Sequence, residues 1–444
     1  MEYRFTNSDL RKLIVPLVIE QFLQFSVGMI SSIMVASVGE AAVSAVSLVD
    51  SVFILFISMF SALATGGAVV AGQFIGMRKP EDGCRAAWQM ILFVGMLSVL
   101  IMVLCYVFNG FILDVVFGDI TEEVRRNSKL FLMIVNASIP FIALYNGGAA
   151  LFRVMGNSKI SMKMSLLMNG INIAGIAVLI YGLNFGIEGA GIPILAARII
   201  AAIMILKKLT DKELLIHFQK PYTMKFNKVL LKRILNIGIP NGLENSMFQL
   251  GKILVLSLVS SFGTASIAAN AIGNSVAMVA VMPGMAMNLA TVTVISQCIG
   301  ASDFDQVRYY TKKLMKITYV MLIACSGIIL LLLPLILDVY GLSAEATLLA
   351  RKILIYHGVC AMFIWAPSFT MPYVLRSSND VAPTMVISIL SMWLFRVVFS
   401  YILGRTFGMG LFGVWVAMTI DWLFRAVCFT VRYKREKWVG KSSS

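Results

Sequence analysis

The sequence predicts an all-α polytopic membrane protein, with twelve transmembrane helices in two pseudo-symmetric six-helix lobes. Three observations predict it: an apolar composition, twelve apolar runs of bilayer length, and a duplication that divides those runs into two sets of six. The 444-residue chain is 59% hydrophobic and only 13% charged. Soluble domains are nearer half apolar and a quarter charged. Such a chain cannot cover itself with polar surface, so its solvent is partly lipid.

A window of about 19 residues picks out spans near 12–37, 42–74, 86–108, 125–149, 160–182, 188–207, 229–262, 266–298, 308–334, 347–374, 382–403 and 410–432. Several exceed the ~20 residues that cross the hydrocarbon core, so they tilt, kink or project into water. Prolines 16, 140, 240, 283, 334, 367 and 372 interrupt or end several of them. In membranes such breaks are tolerated where they line a cavity. The opening MEYRFTNSDL is polar and no A-x-A site follows the first apolar run, so that run reads as a retained helix and not a cleaved signal peptide.

Basic residues orient the spans, because they collect on the cytoplasmic side. With the N-terminus inside, the inner segments carry 27 Lys and Arg and the outer ones six, with four more (Arg198, Lys252, Arg396 and Arg425) within spans. The expected topology is a multi-pass plasma-membrane protein with both termini cytoplasmic. The formal charge of +15 then reflects topology and attraction to anionic membrane lipid, not nucleic-acid binding. The polar stretch between spans six and seven divides the chain into an N-terminal lobe at 1–207, a cytoplasmic linker at 208–228 and a C-terminal lobe at 229–444. The linker could hold a short amphipathic helix along the inner leaflet, or be a solvated loop. Six cysteines without a CxxC pair and two histidines match no metal spacing. No metal site or cofactor is expected.

The duplication is legible residue by residue. Pro16, Glu20, Gly39, Ala41, Ala45 and VAGQFIG at 70–76 recur as Pro240, Glu244, Gly263, Ala265, Ala269 and VISQCIG at 294–300, all offset by 224. Asn157, Gly182, Phe185, Gly186 and Gly191 recur as Asn379, Gly404, Phe407, Gly408 and Gly413, offset by 222. A constant offset signals a repeat. Six spans per repeat give both halves one orientation, related by an axis along the membrane normal. Two such lobes leave a cleft between them and suit alternating access by rocking.

GEAAVSAVSL at 39–48, GGAVVAGQFIGMRKPEDG at 66–83, LFRVMGNSK at 151–159, NFGIEGAG at 184–191, FGTASIAANAIGN at 262–274 and VISQCIGA at 294–301 together resemble the multidrug and toxic compound extrusion (MATE) family. The likeness is to its bacterial type, within the multidrug/oligosaccharidyl-lipid/polysaccharide flippase superfamily. The resemblance covers nearly the whole chain. It implies a V-shaped two-lobe fold and export of small organic, often cationic, compounds by a monomer, driven by H+ or Na+. Two family features are missing. The first-helix aspartate is replaced by Ser31, and the fifth-helix aspartate by Ile176. The family's usual first-lobe cation site therefore does not carry over.

Acids inside spans are costly and mark function by default. Glu20 lies roughly 12 Å into the first span at the helical rise, and shares a face about 100° wide with Gln24 and Ser31. Glu244, Asn245, Gln249 and Lys252 share a face of the seventh span. Within the resemblance, a seventh-helix glutamate commonly serves the second lobe, and Glu244 fits that role. The competing reading is an internal Glu244–Lys252 ion pair. Asp50, whose repeat mate is Asn274, is either a proton carrier or a hydrogen-bonded structural acid. Asn270 and Asp421 complete the candidate substrate and cation ligands. Asp421 and Arg425 also have the i,i+4 spacing of an intrahelical pair, and Arg396 could partner either acid. His357 reads as packing. Arg153 and Arg376 precede small-residue turns where Gly156 and Asn157 could go left-handed, and read as structural or gating residues at the cytoplasmic surface. The second half, which holds most of these ligands, is the expected place for an asymmetric coupling site.

A lipid-linked oligosaccharide or lipid flippase is the alternative, and would favour a strongly cationic cleft for a pyrophosphate. An enzyme is not expected, since HExxH, GxSxG and metal spacings are absent from the sequence. A channel would need no two-lobe duplication.

Overall fold

In the computed structural model, which describes residues 3–117, 120–219 and 224–442, each of the twelve predicted spans is helical. They are α1 (Asn7–Ala36), α2 (Glu40–Gly76), α3 (Pro80–Val107), α4 (Glu122–Asn136) with α5 (Ile139–Val154), α6 (Ser158–Ile176), α7 (Glu188–Lys208), α8 (Lys228–Ser260), α9 (Thr264–Gly300), α10 (Phe304–Tyr340), α11 (Ala344–Cys360), α12 (Val381–Ser391) and α13 (Gly410–Lys434). Short π and α turns extend α6 to Gly182, α11 to Ser377 and α12 to Thr406. Ten spans are single helices apolar and long enough to cross a bilayer, and α4 with α5 is an eleventh, bent by 48°. The bend has a local cause: Pro140 sits in the first turn of α5, where it lacks an N–H to continue the preceding helix. The twelfth is α8. Its 33 residues suffice in length, but Asn241, Glu244, Asn245, Gln249 and Lys252 make it less apolar than the others.

The outward surface fits lipid. Leu331, Val339 and Leu348 are 83%, 86% and 70% exposed, a condition a water-facing helix avoids over so wide a patch.

Backbone reversals repeat with the sequence. Gly39 (φ 133°) and Gly263 (φ 98°) start α2 and α9 in conformations that only glycine adopts freely. Arg78 (φ 58°) and Ser302 (φ 54°), also 224 residues apart, end the same two helices. After α5 only Gly156 is left-handed (φ 83°). Asn157 stays at φ −101°, because Gly156 has already turned the chain. Its repeat mate Asn379 does take the left-handed form (φ 61°).

The chain packs as two compact units, Asn7–Gly242 and Leu243 onward with the residues up to Thr6. The first unit includes the start of α8, whose backbone lies directly on α2. A Cβ on Gly66 would fall 2.7 Å from the Ile234 carbonyl oxygen, and one on Gly238 2.9 Å from Leu63 Cδ2. Arg233 Nη2 also donates to Gln73 Oε1 of α2 at 2.6 Å. The linker forms turns and extended chain over its described residues, not an amphipathic helix; residues 220–223 lie outside them. Its buried residues Ile216 and Phe218 flank the half-buried His217. Phe218 packs edge-on against Trp88 of α3, with ring centroids 5.3 Å apart. Gln89 accepts from Asn227 N at 2.8 Å and donates to Lys225 O at 3.1 Å.

The core of the second unit gathers Trp365, Trp415 and Trp422 with residues of α9, α10 and α13. His357 packs edge-on against Trp415 and Trp422, at 5.5 and 5.3 Å.

Candidate functional site

Each unit holds an open cavity among its helices, lined in part by polar side chains. In the first unit, α1, α2, α6 and α7 surround a cavity of about 280 Å³. Gln24, Ser31, Ser32, Asp50, Asn172 and Arg198 supply its polar lining. Asp50 makes no ion pair or hydrogen bond among the described residues, and its side chain is exposed to this space. Arg198 is near enough to act on it electrostatically, but spends a guanidinium N–H on Ser138 Oγ at 2.7 Å. The buried Oδ1 of Asn172 has no hydrogen-bond partner, while its Nδ2 reaches Ser31 Oγ at 3.5 Å. A carboxylate ringed by amide and hydroxyl oxygens is a donor set for a small hard cation, or a seat for a proton.

Glu20 does not line this cavity. It is 1% exposed, accepts from Ser161 Oγ at 2.5 Å and pairs with Arg153 at 3.4 Å. Its repeat mate Glu244 does the same in the second unit. Glu244 pairs with Arg376, in a contact whose side chains are 12% and 5% exposed. The Glu244–Lys252 pair, the competing reading of this face, does not form among the described residues. The two arginines singled out at helix ends are thus the partners of the two glutamates.

In the second unit α8, α9, α12 and α13 surround a cavity of about 270 Å³. Lys252, Asn270, Asn274 and Arg396 line it, with Trp415 and Met418. Asn270 Oδ1 accepts from Trp415 Nε1 at 3.1 Å, and Asn274 donates to Asn270 O at 2.9 Å. Asp421 lies behind the wall. It is 0% exposed, bonded to Ser391 Oγ at 2.5 Å and to Arg425 Nε at 2.8 Å, with Arg396 3.9 Å away. Asn245 and Gln249 are half-buried on α8 and are not among the residues lining either cavity.

Of the candidate ligands, Gln24 and Asp50 line the first cavity and Asn270 and Asn274 the second, where Arg396, read from sequence as structural or gating, also lies. Sequence reasoning missed Arg198 and Asn172 as cavity residues, though Arg198 was visible as a charge within a span. It also missed the buried pair of Asp380 with Arg432, at 2.5 and 2.8 Å. Arg432 had counted only as a cytoplasmic basic residue, because its partner is distant in sequence.

A sequence model of the MatE family matches the chain twice, over residues 16–178 and 240–402. The chain belongs to the MatE family. The two matches are themselves 224 residues apart, the offset of the internal repeat. Curated relatives align over nearly the full length. YisQ of Bacillus subtilis (strain 168), an uncharacterized transporter, is 24% identical over 432 residues, covering 96% of this chain and 94% of that one. YoeA of the same organism, a probable multidrug resistance protein, is 26% identical over 415 residues, covering 91% and 88%. Among solved structures, the outward-facing conformation of a multidrug resistance MATE family transporter of the MOP superfamily superposes with a TM-score of 0.90. It is 20% identical, and the match covers 98% of this chain and 96% of that one. The fold is thus that of MATE transporters. Ser31 and Ile176, the two positions at which the sequence departs from the resemblance, both line the first-unit cavity beside Asp50. The carboxylate of this cavity stands on α2.

Proposed function

We propose that this chain is a cation-coupled antiporter that exports small organic compounds by alternating access, with Asp50 as the acid that takes the coupling cation. One observation carries the reading. Of the four acids deep within spans, Glu20, Glu244 and Asp421 each form a salt bridge with an arginine, and Asp50 alone forms none among the described residues, Arg198 acting on it only from beyond contact distance. A charge so placed is costly in a membrane unless a proton or metal cation neutralises it. Protonation and Na+ binding are two ways to discharge it, and Gln24, Ser31 and Asn172 add neutral oxygens that serve either. The drug-resistance names of relatives such as YoeA support organic compounds as cargo. The excess of Lys and Arg in the inner segments supports both termini cytoplasmic in the plasma membrane. The transporter acts as a monomer on this reading.

The experiment is export from proteoliposomes of two fluorescent compounds, ethidium and dansylglycine, under an imposed proton gradient and then a sodium gradient. One gradient should drive uphill export of at least one compound, and Asp50→Asn should abolish that drive. Gradient-driven export at the wild-type rate in D50N would remove Asp50 from the mechanism. The second-unit cavity, with Lys252 and Arg396 in its lining, is the observation favouring a lipid-linked flippase. Phospholipid scrambling or lipid-linked sugar uptake by the same vesicles, with no export of either dye, would support that alternative.

A further inference from the structure

The two cavities are repeat-related, yet their charges differ: the first is lined by one acid and one base, Asp50 and Arg198, and the second by two bases and no acid, Lys252 and Arg396. Gly28 and Asp50 line the first cavity, and their mates at the 224-residue offset, Lys252 and Asn274, line the second. Lysine stands in the second repeat where the first has glycine, and an amide where the first has the acid. Arg396 adds a second cation to the same wall.

The surplus is not cancelled within the protein. Lys252 has no carboxylate within ion-pair distance among the described residues. Arg396 has only the distant Asp421, at 3.9 Å, which is already bonded to Arg425 at 2.8 Å. One aromatic ring collects all three cations. Lys252 Nζ, Arg396 Cζ and Arg425 Cζ lie 5.0, 5.1 and 5.6 Å from the Phe248 centroid. A ring face offsets part of such a charge but not two full charges. Positive charge left uncompensated at this depth is expensive, and an anionic ligand would neutralise it. The rest of the lining suits the body of such a ligand. Trp415, Met278 and Met418 form an apolar wall that adapts to varied shapes. With its Oδ1 engaged by Trp415, Asn270 keeps its amide nitrogen as a donor.

We infer that the second-unit cavity binds an amphipathic organic anion, its carboxylate, sulfonate or phosphate held by Lys252 and Arg396 and its apolar body against Trp415. This rests on the export reading above and narrows its cargo. The substrate carries a negative group into the second unit while the coupling cation occupies the first.

The test uses the full chain in phosphatidylcholine nanodiscs and two probes that share a fluorophore, dansylglycine (an anion) and dansylcadaverine (a cation). Wild type should bind dansylglycine saturably, and at least about tenfold more tightly than dansylcadaverine. Lys252→Gln should weaken dansylglycine binding by about tenfold, the scale of one charge-assisted hydrogen bond. Lys252→Arg should stay within about threefold of wild type. Preference of wild type for the cation, absence of saturable anion binding, or unchanged binding in K252Q each overturns the inference. Adding phosphatidylglycerol to the discs separates a soluble anion from a lipid headgroup. Persistent dansylglycine binding supports the former, and its loss would assign Lys252 to lipid phosphate and overturn the proposal. No ion gradient is present in this assay. It therefore reads the second cavity even if Asp50 proves not to couple transport, and its failure leaves gradient-driven export standing.

Discussion

Glu20 and Glu244 stand at one position of the repeat, and each meets an arginine at the end of the fourth span of its own lobe. Such pairs are only weakly stabilising as a whole, because desolvation offsets their attraction. Removing one partner leaves a buried charge, at a cost of about 3–5 kcal/mol. Glu244→Gln should therefore lower the thermal stability of the purified protein clearly. The double variant with Arg376→Gln should lose less than the sum of the single losses, in a thermal-melt double-mutant cycle. Additive losses would show that the two side chains do not depend on each other. This changes the role expected for Glu244. Its position in the seventh span fits a coupling acid, but its carboxylate is committed to Arg376. Asp50, equally visible in the sequence, is the acid with space around it. Residue types and depths were legible; partners were not, because a pair such as Glu20 with Arg153 is joined by the packing of three helices. The repeat did hold a clue. Arg153 and Arg376 recur 223 residues apart, nearly the offset of the two glutamates.

At the scale of elements, helix extents were legible because bilayer length and apolar runs determine them. The spans begin and end within a few residues of the apolar runs, and glycines at repeat-related positions start α2 and α9. Helix contacts were less so. The close approach of α2 and α8 depends on Gly66 and Gly238, which carry no signal of a partner in a single sequence. Gly66→Ala would drive a methyl group into the Ile234 carbonyl, and overpacking of this kind costs about 1–3 kcal/mol. We expect G66A to melt lower, whereas Gly28→Ala, with open space around its Cβ, should not. Equal melting of the two variants would argue against that contact. Between the linker's two readings, helix and loop, the sequence could not choose, for a related reason. The linker's buried Ile216 and Phe218 pack on α3, a target that periodicity alone does not reveal.

At the scale of the molecule, duplication supplied one scaffold twice, and substitution then gave each copy its own electrostatics. The first cavity holds Asp50 beside Arg198 and the second holds Lys252 and Arg396 without an acid, the difference on which the proposed division of coupling ion and cargo between the units rests. The topology makes its own prediction. A C-terminal green fluorescent protein fusion should be fluorescent in a bacterial host, and a C-terminal alkaline phosphatase fusion inactive; the opposite pattern would invert the orientation drawn from the basic residues. The central claim is that Asp50 couples transport without holding the cargo. The most direct measurement compares two modes of transport in proteoliposomes, exchange of dansylglycine at equal concentrations across the membrane and uphill export driven by the coupling gradient. Asp50→Asn should retain exchange and lose uphill export. Loss of both, or retention of both, would contradict the account.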